Sequence, residues 1–383
     1  MSRWSPQQYR RSAKDTDPGI VANAIETAKL IHAVNADVAP VFTLRHLAHA
    51  ADVDYGLLRA ITSRADGEPY RLFLIRKRPS HTGEKRFRVI AVPSPALMKV
   101  QRWITHRILG HVRPHSASVA FSKGDTLVAA AEPHCGARWI VKMDVRNFFE
   151  SINEISVYRV FQSLGFQRLI SLELARICTR LGSLTTSRKN PRWWSNRERE
   201  TIKVYGARRM GHLPQGAPTS PMLANLAVRK LDELIEEIAA KHGMIYTRYA
   251  DDLTVSTKDK TFNRDKCRAV IGEIYAAMAK HGLSPNTAKT IILSPGSRKI
   301  VLGLLVDGEE PRLQRDFRIL MRQHLYYLTS PKHGPADHAR IRGFSSIRGM
   351  RHHIHGLATF ARQVEKPYGE ECLSALNKVN WPV

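Results

Sequence analysis

The stretch Tyr246-Thr247-Arg248-Tyr249-Ala250-Asp251-Asp252-Leu253-Thr254-Val255-Ser256 constrains this chain more than any other. Two β-favouring runs, Met244 to Tyr249 and Leu253 to Ser256, flank a small residue and two adjacent aspartates. That pattern predicts a hairpin with carboxylates at its tip. Two carboxylates buried side by side repel, and one takes up a proton unless a cation stands between them. A divalent metal removes the conflict, and Mg²⁺ suits a few carboxylates completed by waters and phosphate oxygens. An exposed Asp-Asp turn fits this stretch equally well, so the rest of the chain must decide.

Ala137 to Val145 reads as an apolar strand ending on Asp144, followed by Asn147-Phe148-Phe149-Glu150-Ser151-Ile152. A carboxylate at the end of a buried strand is costly without a partner or a metal. Beside the hairpin tip on a neighbouring strand, Asp144 would complete a three-carboxylate site for two Mg²⁺ ions, suited to in-line displacement at a triphosphate. Leu213-Pro214-Gln215-Gly216-Ala217-Pro218 leads into a helix predicted from Met222 to Lys241, with Thr219 or Ser220 as N-cap and Pro221 at the first position. The Gly-Ala pair lets another group approach the backbone. After a helix predicted over Asp265 to His281 come Asn286-Thr287-Ala288-Lys289-Thr290, a strand from Ile291 to Ser294, and the run Lys299 to Val306.

The charge balance names a partner class. Lys and Arg number 60 against 34 Asp and Glu, a net charge of +26. Such an excess points to a polyanion, with nucleic acid the first candidate. The basic residues are spread along the chain rather than gathered in a terminal run or a basic amphipathic helix, which disfavours a membrane surface. No apolar run approaches bilayer length. Four scattered cysteines without a Cys-x-x-Cys argue against a zinc ribbon or disulfide framework and fit a reducing cytoplasm.

The remaining segments supply a frame. Helical spacing recurs from Val21 to Val34, then in a pair at Thr43 to Ala50 and Tyr55 to Ser63 with Asp52 as N-cap. Arg71 to Arg78 and Lys85 to Pro93, joined by a turn at His81 to Glu84, read as a basic two-stranded ribbon. It suits a triphosphate or a template backbone, or is a solvated edge. Leu97 to Val112, Val157 to Gly165 and Ile170 to Leu181 read as helices. Residues 183–212 form a polar, basic insertion whose Trp193-Trp194 could stack on nucleic acid or anchor the loop. A helix from Leu313 to Leu328 sets Arg315, Arg318 and Arg322 opposite Phe317, Met321 and Leu328. That stripe fits a nucleic-acid backbone or a plain solvated face. An apolar helix around Ile354 to Val364 closes the chain.

In this order the motifs resemble those of the prokaryotic reverse transcriptases, most closely the retron enzymes, over roughly residues 70–310. Tyr249-Ala250-Asp251-Asp252 matches the catalytic box, Leu213 to Pro221 the Pro-Gln-Gly box, and Arg88 to Pro93 the fingers motif. The resemblance implies an α+β right-hand polymerase. Residues 1–65 would be an N-terminal helical extension and 66–135 the fingers. Residues 136–310 would be a palm whose antiparallel sheet carries the acidic site, and 311–383 a mostly helical thumb. Asp144, Asp251, Asp252 and Lys289 would be catalytic. The three aspartates and the Val145 carbonyl would hold two Mg²⁺ ions, which Mn²⁺ could replace. Arg88, Lys85, Phe149, Gln215 and Gly216 would bind the dNTP, Phe149 as an aromatic gate against a ribose 2′-OH. Lys289 would orient the triphosphate or protonate the leaving group.

The same resemblance implies RNA-directed DNA synthesis from dNTPs on a structured noncoding RNA that serves as template and primer, starting at an internal 2′-OH. The DNA product would serve anti-phage defence with an effector protein encoded nearby, in the cytoplasm and away from membranes. Two family motifs are altered here. Asn-Ala-x-x-His is Ala130-Ala131-Glu132-Pro133-His134, and Val-Thr-Gly is Val301-Leu302-Gly303. A defence-associated reverse transcriptase outside the retrons, with another template or priming mode, is the alternative, and an idle nucleic-acid scaffold a remoter one. About ninety residues follow Lys289, room for a thumb but not for an RNase H or integrase domain as well. Without paired cysteines, a zinc-bearing nuclease domain like that of many mobile-intron enzymes is not expected.

Overall fold

Leu253 to Thr257 are buried without alternation, because the sheet they belong to is covered on both faces. The computed structural model describes residues 5–64, 68–76, 87–182, 193, 194, 205, 209–330 and 332–382. The expected turn at His81 to Glu84, Lys85 and most of the 183–212 insertion lie outside them. The strands are β1 (Tyr70–Arg76), β2 (Phe87–Pro93), β3 (Trp139–Asp144), β4 (Ile245–Tyr249), β5 (Asp252–Thr257), β6 (Ile291–Leu293), β7 (Ile300–Val301), β8 (Leu304–Leu305) and β9 (Arg312–Leu313). The central sheet runs β4-β5-β3-β6, antiparallel throughout, with β1-β2 and β7-β8-β9 as separate small sheets. Mixed helices and antiparallel sheets are those of the expected right-hand polymerase class.

One core joins the N-terminal helices to this sheet: Ile31, Leu47 and Leu58 pack in the same cluster as Val141, Leu253 and Ile274. The C-terminal helices Arg315–Thr329, Gly334–Arg342, Ile347–Val364 and Lys366–Asn377 enclose a second core of Met321, Leu328, Met350, Ile354 and Leu376. Buried charge ties early and late segments together. Glu154 accepts from Arg176 Nε at 3.0 Å and Arg64 Nη2 at 3.1 Å, and from the Gly211 amide at 3.0 Å.

Two local readings are corrected. Asp52 is not an N-cap. It follows the Leu44–Ala51 helix at φ 51° as its C-cap, and Asp54 caps the next helix by accepting from the Leu57 amide at 2.7 Å. The helix expected from Met222 to Lys241 is two, Ser220–Ala227 and Arg229–Lys241, divided at Val228. Neither Pro nor Gly marks the break, so apolar periodicity reads straight through it. At the start of the first, Thr219 is the N-cap residue without a side-chain cap bond, while Ser220 Oγ donates to the Pro214 carbonyl at 2.6 Å and closes the Pro-Gln-Gly loop. All four cysteines are buried and free. Among the described residues no helix is long and apolar enough to cross a membrane.

Candidate active site

Antiparallel pairing sets Asp144, the last residue of β3, directly opposite Asp252, the first of β5. Tyr249 pairs with Asp252 in turn, so Ala250 and Asp251 alone make the hairpin turn. Side chains opposite each other on an antiparallel pair share a face. Ala250 takes a left-handed φ of 55°, uncommon for a residue with a Cβ. A buried cation braces that shape. Arg248, 1% exposed at its side chain, donates from Nε and Nη2 to Asp232 at 2.8 and 2.7 Å, and from Nη1 to Asn225 Oδ1 at 2.9 Å and the Ala250 carbonyl at 3.0 Å. Sequence reasoning missed Arg248, Asp232 and Asn225. An arginine in a strand gives no sign that it is the largest fully buried side chain among the described residues.

The acidic residues interact electrostatically. Burial pushes the Asp251 carboxyl above its ordinary range, and the nearby charge of Asp144 pushes it further. Asp252 rises to about 6, chiefly through burial, against the opposing field of Lys142. Asp144 is held by two donors, Asn286 Nδ2 at 2.9 Å and Lys289 Nζ at 2.6 Å. The Asn286 amide also donates to the Asp144 carbonyl at 2.7 Å, and the buried Val145 amide to the Asp251 carbonyl at 2.9 Å. Thus Asp144, Val145, Asp251, Asp252 and Lys289 converge on one place.

Among the described residues no group of three or more His, Cys, Asp or Glu is closed up enough to hold a metal unaided. The residues still fit one. Two partly desolvated carboxylates with raised pKa values seek positive charge. Mg²⁺ characteristically takes one or two carboxylates and leaves the rest of its shell to water and phosphate.

Phe149 and Gly216 line a common cavity of about 400 Å³ with Met98, Arg102, Ala217 and Pro218. Gly216 stands at φ 112°, where an added Cβ would meet Ile90 Cγ2 at 2.8 Å and the Ala91 carbonyl oxygen at 3.0 Å. The close approach is fixed by the Ala91 amide donating to the Gln215 carbonyl at 2.7 Å. This one bond ties β2, and the exposed Arg88 on it, to the Pro-Gln-Gly loop. Arg88 lies near enough to help lower the Asp251 pKa.

The thumb stripe differs from the expected row of three free charges. Arg315 and Arg322 are exposed, but Arg318 forms an ion pair with Glu365 and lies 4.6 Å from the Tyr368 ring centroid. A second basic surface, Arg348, Arg351, His352 and His355 beside Trp381, lines a cavity of about 600 Å³.

The altered motifs are also placed. His134 is fully buried, with Nδ1 2.6 Å from Ser256 Oγ and Nε2 2.7 Å from Thr247 Oγ1. Thr247 Oγ1 donates to the Ala130 carbonyl at 3.4 Å, so it accepts from Nε2–H and leaves Nδ1 to accept from Ser256. The ring is spent inside the palm. Leu302 and Gly303, at φ 49° and 85°, form the turn between β7 and β8.

The family profile described as reverse transcriptase (RNA-dependent DNA polymerase) matches residues 75–358. Retron Ec86 reverse transcriptase of Escherichia coli is 31% identical, over 86% of this chain and 92% of its own length. Retron Mx162 reverse transcriptase of Myxococcus xanthus is 28% identical over 72% of this chain and 56% of that relative. Among solved structures, a Candida albicans telomerase with a fragment of telomeric RNA superimposes with a TM-score of 0.42 at 12% identity, covering 82% of this chain and 63% of that one.

Two outcomes follow from the site. Mg²⁺ should raise the melting temperature near neutral pH. Asp251→Asn, which deletes one repelling charge, should raise the metal-free value and abolish the Mg²⁺ response. Scanning fluorimetry with and without Mg²⁺ reads both, and an undiminished response in the variant would put the cation elsewhere. His134 gives the second. Burial holds its imidazole down to about 4 against an ordinary 6.5. The unfolded chain therefore binds the extra proton first, and stability, complete above about 6.5, falls as pH drops toward 4. Urea midpoints across that window should lose this part of their slope in His134→Gln. An identical slope would refute the buried neutral ring.

Proposed function

This chain belongs to the reverse transcriptases, RNA-directed DNA polymerases, and on that premise we propose that it copies a dedicated structured noncoding RNA as a retron component in anti-phage defence. The observation that carries the catalytic part is the register pair Asp144–Asp252, with Asp251 in the adjoining turn and Lys289 on Asp144. In this reading Asp144, Asp251, Asp252 and the Val145 carbonyl hold two Mg²⁺ ions, with Mn²⁺ as a substitute. When bound, the ions supply an activated primer hydroxyl and a neutralised triphosphate for in-line displacement of pyrophosphate.

The chain's own groups do the rest. Lys289, 57% exposed at its side chain, stands at the solvent edge of Asp144. There it can turn to the triphosphate and give a proton to the departing pyrophosphate. Arg88, with Lys85, holds the triphosphate from the fingers. Gln215 and Gly216 border the nucleotide, in a loop that packs closely on Ile90 and Ala91 because Gly216 has no Cβ. Phe149 blocks the space a ribose 2′-OH would need and so selects dNTPs. Residues 66–135 act as fingers, 136–310 as palm and 311–383 as thumb, with 1–65 as an N-terminal helical extension. In the thumb, Arg315 and Arg322 meet the nucleic-acid backbone, while Arg318 mainly secures its helix to Glu365. The enzyme works in the cytoplasm, bound to its RNA and DNA product and beside an effector protein encoded nearby.

One observation favours a second reading. His134 is enclosed within the palm, and Ala130 and Leu302 replace the family's Asn and Thr. A reverse transcriptase with another template or priming mode would need neither motif to meet RNA. Sequencing the RNA and DNA that copurify with the protein separates the two. A branched RNA–DNA hybrid joined at an internal 2′-OH is the expected result. Unbranched or untemplated DNA would replace the retron reading with its rival.

A further inference from the structure

Phe121 has a left-handed backbone, φ 72°, and its residue is 42% exposed. Side chains with a Cβ meet a steric cost in that conformation, and burial gives this ring little in return. Its ring neighbours lie at the site. The Phe149 ring centroid is 6.3 Å away at an interplanar angle of 47°, and the Tyr249 centroid is 6.3 Å away at 44°. Tilted contacts at such separations are favourable between aromatic rings.

The segment that carries Phe121 is fastened from below. Asn225 Nδ2 donates to the Ala120 carbonyl at 2.7 Å, while Asn225 Oδ1 accepts from Arg248 at 2.9 Å. The Val119 amide donates to the Arg248 carbonyl at 3.0 Å. The Ser122 amide donates to Asp125 Oδ2 at 2.7 Å. One buried junction thus secures two left-handed residues, Ala250 beside Asp251 and Phe121 beside Phe149. A strained, exposed aromatic held this firmly is placed for what its ring touches.

We propose that Phe121 is a positioning residue for sugar selection, backing Phe149 on the side toward Tyr249 and keeping its ring across the ribose space. The inference rests on the reading of Phe149 as the sugar gate. Without Phe121, Phe149 swings away and a 2′-OH is admitted.

Single-nucleotide extension of a primed RNA template, with a dNTP and its matching rNTP, tests this in wild type, Phe121→Ala, Phe121→Tyr and Phe149→Ala. In Phe121→Ala, kcat/KM for the rNTP should rise, and selectivity for the dNTP should fall by about 3- to 10-fold, the worth of one aromatic pair. Phe121→Tyr, which keeps the ring, should retain selectivity, and Phe149→Ala should lose more. A gain in rNTP use is not what mere structural damage produces. If Phe149→Ala relaxes selectivity but Phe121→Ala does not, or if Phe121→Ala slows both nucleotides equally, the inference fails and the gate reading stands. If Phe149→Ala leaves selectivity unchanged, the gate reading fails and this inference falls with it.

Discussion

Arg248 holds its guanidinium where water is excluded, and the turn that presents Asp251 and Asp252 takes its shape from how that charge is satisfied. Asp232 neutralises it through two bonds, and Asn225 and the Ala250 carbonyl take the third nitrogen. Magnitudes show why this matters more than the surface charges. Removing one partner of a buried pair costs about 3–5 kcal/mol. An exposed pair such as Lys241–Glu273 is screened by solvent and contributes far less. A left-handed residue with a Cβ stores on the order of 1–3 kcal/mol, so the junction at Arg248 is large enough to hold Ala250 there.

On that brace the palm assembles groups that repel. Asp144 and Asp252 face each other across two strands, and Asp251 adds a third negative charge. Lys289 and Asn286 offset part of it at Asp144, and Lys142 part of it at Asp252. Burial is the main reason that Asp251 and Asp252 rise above their ordinary pKa range, with the charge of Asp144 adding to it. Two partly desolvated carboxyls and a cavity lined by Phe149 and Gly216 are the features on which the proposed binding of a cation and a nucleotide rests.

Much of this could be read before the fold was seen, and the exceptions have physical causes. β-Propensity around Asp251 and ahead of Asp144 exposed the two strand ends, because residue type and local pattern carry that information. Position in space does not show in local pattern. Arg248 reads as a solvent-facing strand residue until the Asn225 and Asp232 helices are packed over it. The Val228 break has no breaker residue. Arg318 lies on the expected face of its helix, yet a partner 47 residues away, Glu365, removes it from the basic stripe. Phe121 belongs to no regular element and has no periodic signal at all.

The fingers ribbon completes the picture by contrast. Leu72, Leu74, Ile75 and Phe87 are largely exposed, and the Ala91–Gln215 bond ties the ribbon to the Pro-Gln-Gly loop. Few buried contacts place it at the low-stability end of the molecule, where moving parts are found. The proposed polymerase chemistry turns on the three aspartates acting with a divalent ion. Extension of a primed RNA template by dNTPs, with parallel measurement of RNA binding, tests that most directly. Wild type should extend only when Mg²⁺ or Mn²⁺ is present, and Asp144→Asn should bind RNA as before yet incorporate nothing. Full incorporation by Asp144→Asn would contradict the account.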